Sequence, residues 1–490
     1  MKTFEELQTN LGPVWNLNRP GSSVDHVVVV LPSFSMGESL LSHYATRIPA
    51  LEHRYLVTSL MLHRIETCEL VFLTCQAPDN RVLDYYASLL PSGQRDSART
   101  RFRLAVVPDD SPRPIAAKLL DRPDLIAELR ASFANRPAFI EPWNVTHREV
   151  EVAERLQLPI DGPASNLWHL GFKSSGRRLF MEAEVPLPAG REDVRTLDQV
   201  LEAIAEIRKQ RPSATGVVVK LDDSGAGDGN AIIEFDHLDN GGLALADWYV
   251  HELAAGAVVE ELITGTRFRS PSVQVELSPF GEVNVLATHE QVLGGDTGQV
   301  YTGCRFPADP AYASELARHG YAIGKLLASR GAIGRLSVDF AVTQNDSGTW
   351  HVHALEINLR KGGTTHPYVV LSHLVPGKYD AEAGTWQALD GTQRWYWATD
   401  NLVDESWLGL APDTVIRAVA ADGLQFDDRT GTGVVLHMLS CLAIDGRLGL
   451  TAIGSTPQQA AELYERTGDA VHRHARKVGP SDAPESEWAS

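Results

Sequence analysis

Val338-Asp339-Phe340 and, seventeen positions after the aspartate, Glu356-Ile357-Asn358-Leu359-Arg360 bracket the stretch that decides the fold. Between them, residues 343–348 read TQNDSG, a run of turn formers. The flanks, RLSVDFAV and WHVHALEIN, alternate or are apolar. Two such strands around a polar turn make a β-hairpin. In that hairpin Asp339 falls roughly opposite Glu356, and Glu356 and Asn358, two apart, share a face. Three oxygen-bearing side chains then converge on one small volume. Unpaired buried carboxylates are costly, so a cation belongs among them. Oxygen-only ligands favour magnesium, with manganese as the alternative, shared with a phosphate chain. Arg360 adds a positive charge beside the site. A solvated hairpin with scattered acids is the competing reading, and the apolar flanks speak against it.

Upstream, TGVVVKLDDSGAGDGNAIIEF reads as strand, glycine loop, strand. Lys220 ends the first strand, and Gly225, Gly227 and Gly229 let backbone amides turn toward an anion. A plain hairpin loop is the alternative. No GxxxxGK[ST] occurs, so a Walker-type phosphate loop is excluded. Before it, Thr196-Leu197-Asp198-Gln199 forms a capping box that opens a helix with Leu197, Val200, Leu201 and Ile204 on one face. After it come a strand within 256–268 that ends in a turn at Gly265, a second hairpin turning at 279–281, and a helix over about 311–329 closed by Gly331. Residues 362–366, GGTTH, form a loop that hangs over the first hairpin, with Lys361 expected to be exposed.

Working outward, HVVVVL (26–31), ELVFLTC (69–75), FRLAVVP (102–108) and PAFIEPWN (137–144) are strands separated by helical patterns. Such alternation gives an α/β lobe with a parallel sheet. PSFSMGES after the first strand is no dinucleotide fingerprint. Downstream, GTGVVLHM and GRLGLTAIG pair around Asp445-Gly446, Thr456 caps a last helix with Pro457 at its first position, and the polar end is expected to be disordered. The 490 residues carry a net charge of −19, which argues against a nucleic-acid partner. Four cysteines without CxxC spacing, no apolar leader and no long apolar run lead to the expectation of a cytoplasmic chain without a membrane partner.

Taken together, Lys173, Lys220 with its glycine loop, Glu260-Glu261-Leu262-Ile263, Asp339, and Glu356 with Asn358 resemble the ATP-grasp superfamily in order and spacing. THEQVLGG, YTGCRFP and EINLRKGGTTHP are similar to its peptide-ligase branch, typified by pheganomycin biosynthesis. The resemblance implies an α+β ATP-grasp domain over 156–372, with lobes of about 156–215 and 216–372. It implies a pre-ATP-grasp α/β domain over 1–155, followed by a C-terminal α+β domain over 373–478 and a tail over 479–490. It assigns the ATP phosphates to Lys173, Lys220 and the loop containing Ser224, Gly225, Gly227, Gly229 and Asn230. It assigns the adenine edge to Glu260, Glu261, Leu262 and Ile263, and magnesium to Asp339, Glu356 and Asn358. Where relatives carry an acid for the ribose, this chain has Arg267, which could instead face a carboxylate or the phosphates.

The implied function is an ATP-dependent peptide ligase of peptide natural-product (antibiotic) biosynthesis. It activates a small, amino-acid-like carboxylic acid as an acyl phosphate and joins it to the amine of a peptide, forming a C–N bond. A homodimer is compatible with that reading. Such chemistry rests on positioning and charge neutralisation. Arg360 is the first candidate to steady the tetrahedral oxyanion; a salt bridge to Glu356 is its alternative. His289 and His366 are candidate bases or substrate contacts, although histidines on such segments are often structural. Arg269 and Arg305 could anchor a peptide C-terminus. Two other readings stay open: another ATP-grasp carboxylate–amine or carboxylase-type ligase, and an ATP-binding regulatory protein without turnover.

Overall fold

The computed structural model describes residues 2–475 apart from 36–40, 43, 134, 225–228, 244, 266 and 295–299. Three sheets organise it. The first comprises β1 (His26–Leu31), β2 (Cys68–Thr74), β3 (Phe102–Val106) and β4 (Ala138–Pro142), all parallel, in the order β3-β2-β1-β4. Helices cover both faces of such a sheet, so the central strand reads as an unbroken apolar run, and Val27 through Leu31 are fully buried. The expected α/β lobe is present. Buried Ser35 and Asn144 exchange hydrogen bonds, and Ser35 Oγ donates to Glu149 at 2.5 Å, so the turn after β1 is pinned to the end of β4.

The second sheet is small: β5 (Gly190–Val194), β6 (Gly216–Leu221), β7 (Asn230–Glu234) and β8 (Ala257–Glu261), in the order β5-β8-β6-β7. Its core lies under the helix Leu197–Gln210, through Val200, Ala203, Ile204 and Ile207. Leu197 and Leu201 are exposed, because the buried stripe is centred about one residue further round than the sequence pattern suggested. The capping box closes only by half. Thr196 accepts from the Gln199 amide, whereas the Gln199 side chain accepts from Arg195 instead. The expected lobe break at 215/216 falls inside this unit, since β5 pairs with β8 and the helix packs beneath both.

The third sheet has eleven strands. They are β9 (Phe268–Arg269), β10 (Pro271–Leu277), β11 (Val283–Gly294), β12 (Val300–Phe306), β13 (Gly334–Gln344), β14 (Trp350–Asn358), β15 (Gly377–Asp380), β16 (Thr385–Ala388), β17 (Gln393–Val403), β18 (Gly433–His437) and β19 (Arg447–Gly454). Its main path runs β14-β13-β10-β11-β12-β17-β16-β15, with β19 also on β17 and β18 on β19. The 373–478 segment therefore continues the central sheet rather than standing as a sheet of its own. It also shares one apolar cluster with the N-terminal lobe. Tyr85 accepts the Leu436 amide at 2.8 Å, and His53 Nδ1 lies 2.8 Å from Ser440 Oγ. The first and last quarters of the chain thus close on each other around the middle.

The joint between β12 and β17 depends on Gly303, where a Cβ would collide with the backbone oxygen of Ala398. A backbone obstacle cannot rotate away. Gly303→Ala is expected to lower unfolding stability by about 1–3 kcal/mol, read as a drop in urea midpoint. An unchanged midpoint would mean that the joint opens without cost.

Candidate active site

A cavity of about 620 Å³ lies between the small sheet, the large sheet and the N-terminal lobe. The hairpin β13–β14 supplies its floor. Its register sets Asp339 against Glu356 and Ser337 against Asn358, with a bulge after Asp339. Asp339 accepts from Gln291 Nε2 at 2.8 Å and Asn358 Nδ2 at 2.9 Å. Burial, then the nearby Glu356 charge, pushes its carboxyl up to about 7. Neutral amides cannot offset two facing carboxylates.

Lys173, first residue of the helix Lys173–Glu182, is buried with its Nζ 3.1 Å from Glu356 Oε1 and in contact with the carbonyl of Ser224. It ties the metal-type hairpin to the start of the glycine loop. Lys220, at the end of β6, points its Nζ at Glu260 Oε2, 2.5 Å away, as an ion pair rather than an aligned hydrogen bond. Glu260 also receives Arg177 Nη1 at 2.7 Å. Burial opposes its ionisation, but Lys220 and Arg177 overcome it and hold its pKa below the ordinary value. Glu261, Leu262 and Ile263 follow along the cavity wall. Glu261 pairs with Arg211 at 3.0 Å, and the Leu262 amide donates to Gly216 at 3.0 Å. Asn230 lines the wall, and Ser224 Oγ donates to the Leu221 carbonyl. Gly225 and Gly227 lie outside the described residues.

The far end of the cavity is built from segments distant in sequence. Arg360 stands over the Trp143 ring, 4.9 Å from its centre, and Phe34 packs on Trp143 at 4.6 Å. Arg360 Nη1 donates to the Lys361 carbonyl at 3.2 Å, and Glu356 acts on it as a nearby charge rather than through the salt bridge considered from sequence. Arg54 from the N-terminal lobe and Asp400 from β17 form a two-point pair, with Nε–Oδ1 at 3.0 Å and Nη2–Oδ2 at 2.8 Å. Arg54 Nη2 also donates to the Gly363 carbonyl at 2.8 Å, which fixes the loop after Arg360.

Residues 168–254 match a family model described as IQCH-like, ATP-grasp, and residues 414–467 match the PGM1 C-terminal domain. The chain is 33% identical over 421 residues to the L-propargylglycine–L-glutamate ligase of Streptantibioticus cattleyicolor, covering 82% of this chain and 85% of that protein. The chain belongs to the ATP-grasp ligase family. The fold of this ligase agrees with solved relatives. A biotin carboxylase from Campylobacter jejuni in an ATP-analogue complex superposes with TM-score 0.57 at 12% identity, covering 93% of this chain and 95% of that one. The biotin carboxylase domain of Hydrogenobacter thermophilus 2-oxoglutarate carboxylase, bound to MgADP, gives 0.54 at 12%, covering 90% and 89%.

The ligase's own residues fit a cation and a phosphate chain. Among the described residues no cluster of three His, Cys, Asp or Glu side chains forms an all-protein cage. Two carboxylates and an amide suit a hard cation that completes its shell with phosphate oxygens and water. The raised Asp339 carboxyl marks the negative charge that such a cation would offset.

Several expected site residues lie elsewhere. His289 is fully buried beside Tyr396, 2.5 Å from its hydroxyl, and is not among the residues lining the main cavity. His366 is buried against the His437 ring at 3.9 Å, with no hydrogen bond to either nitrogen among the described residues. Both are core histidines of the ligase: Tyr396 of β17 covers His289, and the His437 ring covers His366 in the helix Thr365–Leu374. Arg267 is exposed and reaches Gln344 at 2.8 Å. Lys361 is buried, not exposed, and pairs with Glu141 of the N-terminal lobe. Trp143, Phe34, Arg54, Tyr301 and Asp400, absent from the sequence candidates, line the cavity. Of the cavity residues not named from sequence, Gln291, inside THEQVLGG, and Tyr301, at the start of YTGCRFP, carried a local signal.

Burial pushes the His289 imidazole down to about 3. The unfolded chain takes that proton near pH 6.5. Between those values the unfolded state binds more protons, so stability falls as pH falls through that window, by up to about 1.4 kcal/mol per unit. Urea midpoints between pH 7.5 and 4.5 should fall less steeply in His289→Gln than in the wild type. Equal slopes would show that His289 takes up its proton in the fold as it does in the unfolded chain.

Proposed function

We propose that this ligase activates a small amino-acid-like carboxylic acid as an acyl phosphate and joins it to the amine of a peptide, releasing ADP and phosphate. The observation that carries this reading is one continuous cavity lined by Lys220, the facing carboxylates Asp339 and Glu356, and Arg360 at its far end, with Lys173 paired to Glu356. The adenine lies along Glu261–Ile263, with Glu260 holding Lys220 rather than reaching the base itself. Because the Leu262 amide is already engaged, the base pairs with other backbone groups of that run. Lys173 and Lys220 hold the phosphates, aided by the glycine loop. A magnesium ion on Asp339, Glu356 and Asn358, or manganese in its place, neutralises phosphate charge during transfer.

The acid's carboxylate sits at Arg360. A guanidinium fixed over Trp143 is oriented before substrate arrives, which lowers the cost of binding and of stabilising the oxyanion. The N-terminal lobe, through Phe34 and Trp143, shapes the pocket for the acid's side chain. Asp339→Asn and Glu356→Gln are each expected to cut ADP release by roughly 10²-fold, with unchanged circular dichroism. The assay uses ATP, magnesium, a panel of acids, and hydroxylamine as surrogate amine. Hydroxamate that requires both acid and ATP supports the acyl phosphate. AMP in place of ADP would overturn it.

A second groove of about 390 Å³ joins the main cavity at Phe268, Ser270, Gln291 and Leu293. Arg269 and Arg305 flank it. Arg305 lies 4.0 Å over Trp397, which stacks on Tyr464 at 4.5 Å. We place the acceptor here, with Arg305 gripping its carboxylate. The name of the relative from Streptantibioticus cattleyicolor pairs two amino acids, so a free amino acid is the second acceptor to test. Arg305→Ala should raise the acceptor KM by about tenfold or more and leave the hydroxylamine reaction unchanged. Equal loss in both assays would place Arg305 outside the acceptor site.

A further inference from the structure

Asp400 stands apart among the carboxylates that line the main cavity. Asp339 and Glu356 face each other across the hairpin, Glu260 is held by Lys220 and Arg177, and Glu261 is held by Arg211. Each of those has its work inside the nucleotide half. Asp400 lies at the other end, beside the Gly362–Thr364 loop that follows Arg360.

Its environment is built with care. Arg54 reaches it from the N-terminal lobe, and His437 Nε2 donates to Oδ1 at 2.7 Å from β18, across the intervening β19. Both partners are buried, at 6% and 2% exposure, yet the Asp400 side chain keeps 26% of its surface. Oδ1 accepts two hydrogen bonds, while Oδ2 faces Arg54 Nη2 at 2.8 Å as an ion pair, the hydrogen bond of that nitrogen going to the Gly363 carbonyl. A carboxylate oxygen can accept two, so Oδ2 has capacity left on a surface that faces the cavity. Arg54 first, then His437, overcomes burial and holds the group ionised, with a pKa of about 2. Such a group is too weak a base to take a proton at neutral pH, but it is a fixed negative charge.

A substrate amine is protonated in water at neutral pH. The cavity also holds Lys220, Arg54 and Arg360, which would repel it. An ammonium needs an anion at the end where carboxylate and amine meet. We propose that Asp400, presented by Arg54 and His437, is the subsite that receives the ammonium group of an amine-bearing substrate. The inference rests on the ligase reading above and names what that reading leaves open: one substrate is recognised through its positive nitrogen. The nitrogen belongs either to the acid that becomes activated or to the acceptor before it loses its proton. The geometry serves both, because the two meet beside Arg360.

The test uses the full-length enzyme, ATP and magnesium. The first arm compares amino acids with their des-amino counterparts as donors, with hydroxylamine as acceptor. The second arm holds the donor fixed and compares an amine acceptor with its des-amino analogue as a competitive inhibitor. Wild type should favour the amine-bearing member of one pair by tenfold or more in KM or Ki. Asp400→Asn should erase that preference, raising KM for the amine-bearing member while leaving the des-amino member and ATP unchanged. A shift in the first arm assigns the donor nitrogen, and a shift in the second assigns the acceptor nitrogen. Equal shifts for both members of each pair would show that Asp400 only braces Arg54, and would overturn the proposal. Should Asp400→Asn fail to fold, the wild-type comparison decides alone: no preference in either arm overturns it. Hydroxamate that forms but ignores the amine sinks this inference and leaves the ligase reading standing. Hydroxamate from no acid sinks both.

Discussion

Two carboxylates facing each other across a β-hairpin are the constraint on which the rest of the molecule turns. Asp339 and Glu356 repel, and burial makes the repulsion worse. A fold keeps such a pair only if positive charge is supplied around it. Lys173 supplies part of it from the helix that begins the ATP-grasp region, at 3.1 Å from Glu356. Because the same ammonium touches the Ser224 carbonyl, the hairpin on the large sheet and the glycine loop on the small sheet are linked through one side chain. The cleft between the two sheets is therefore also the place where a cation and phosphates are most favoured.

A second layer of charge pairs fixes the walls. Arg177, Glu260 and Lys220 form a chain that fixes a lysine at the cavity wall. Lys361 to Glu141 and Arg54 to Asp400 bind the N-terminal lobe to the loop after Arg360 and to β17. Breaking one partner of a buried pair leaves the other uncompensated, so these contacts act as locks on geometry more than as sources of stability. They also explain why the chain's two ends meet. The activation end of the cavity needs residues from both, and a shared apolar cluster keeps those residues in register.

Much of this was legible along the chain. The hairpin, the Asp339–Glu356 opposition and the parallel N-terminal sheet follow from periodicity and turn chemistry, which are local properties. The nucleotide role of Lys173 and Lys220 came only through the family resemblance. Leu197 and Leu201 misled, because a helix face is decided by the sheet it covers and not by its own pattern alone. Lys361 misled for a related reason: its burial depends on Glu141, 220 residues away. His289 and His366 looked available on their segments, but neighbouring strands and rings closed over them.

The sequence by itself determined the parallel N-terminal sheet and the hairpin that sets Asp339 against Glu356, and through its resemblance the ATP-grasp architecture. The sheet and the hairpin lie on strands whose spacing sets side-chain direction. Only the tertiary structure decided that the C-terminal strands extend the central sheet, that Trp143 lies under Arg360, and that Arg54 and Asp400 pair beside the loop that follows it. No pattern within a segment encodes such meetings. They arise when sheets and lobes pack, where long-range burial and charge pairing select one arrangement from many that local structure would permit.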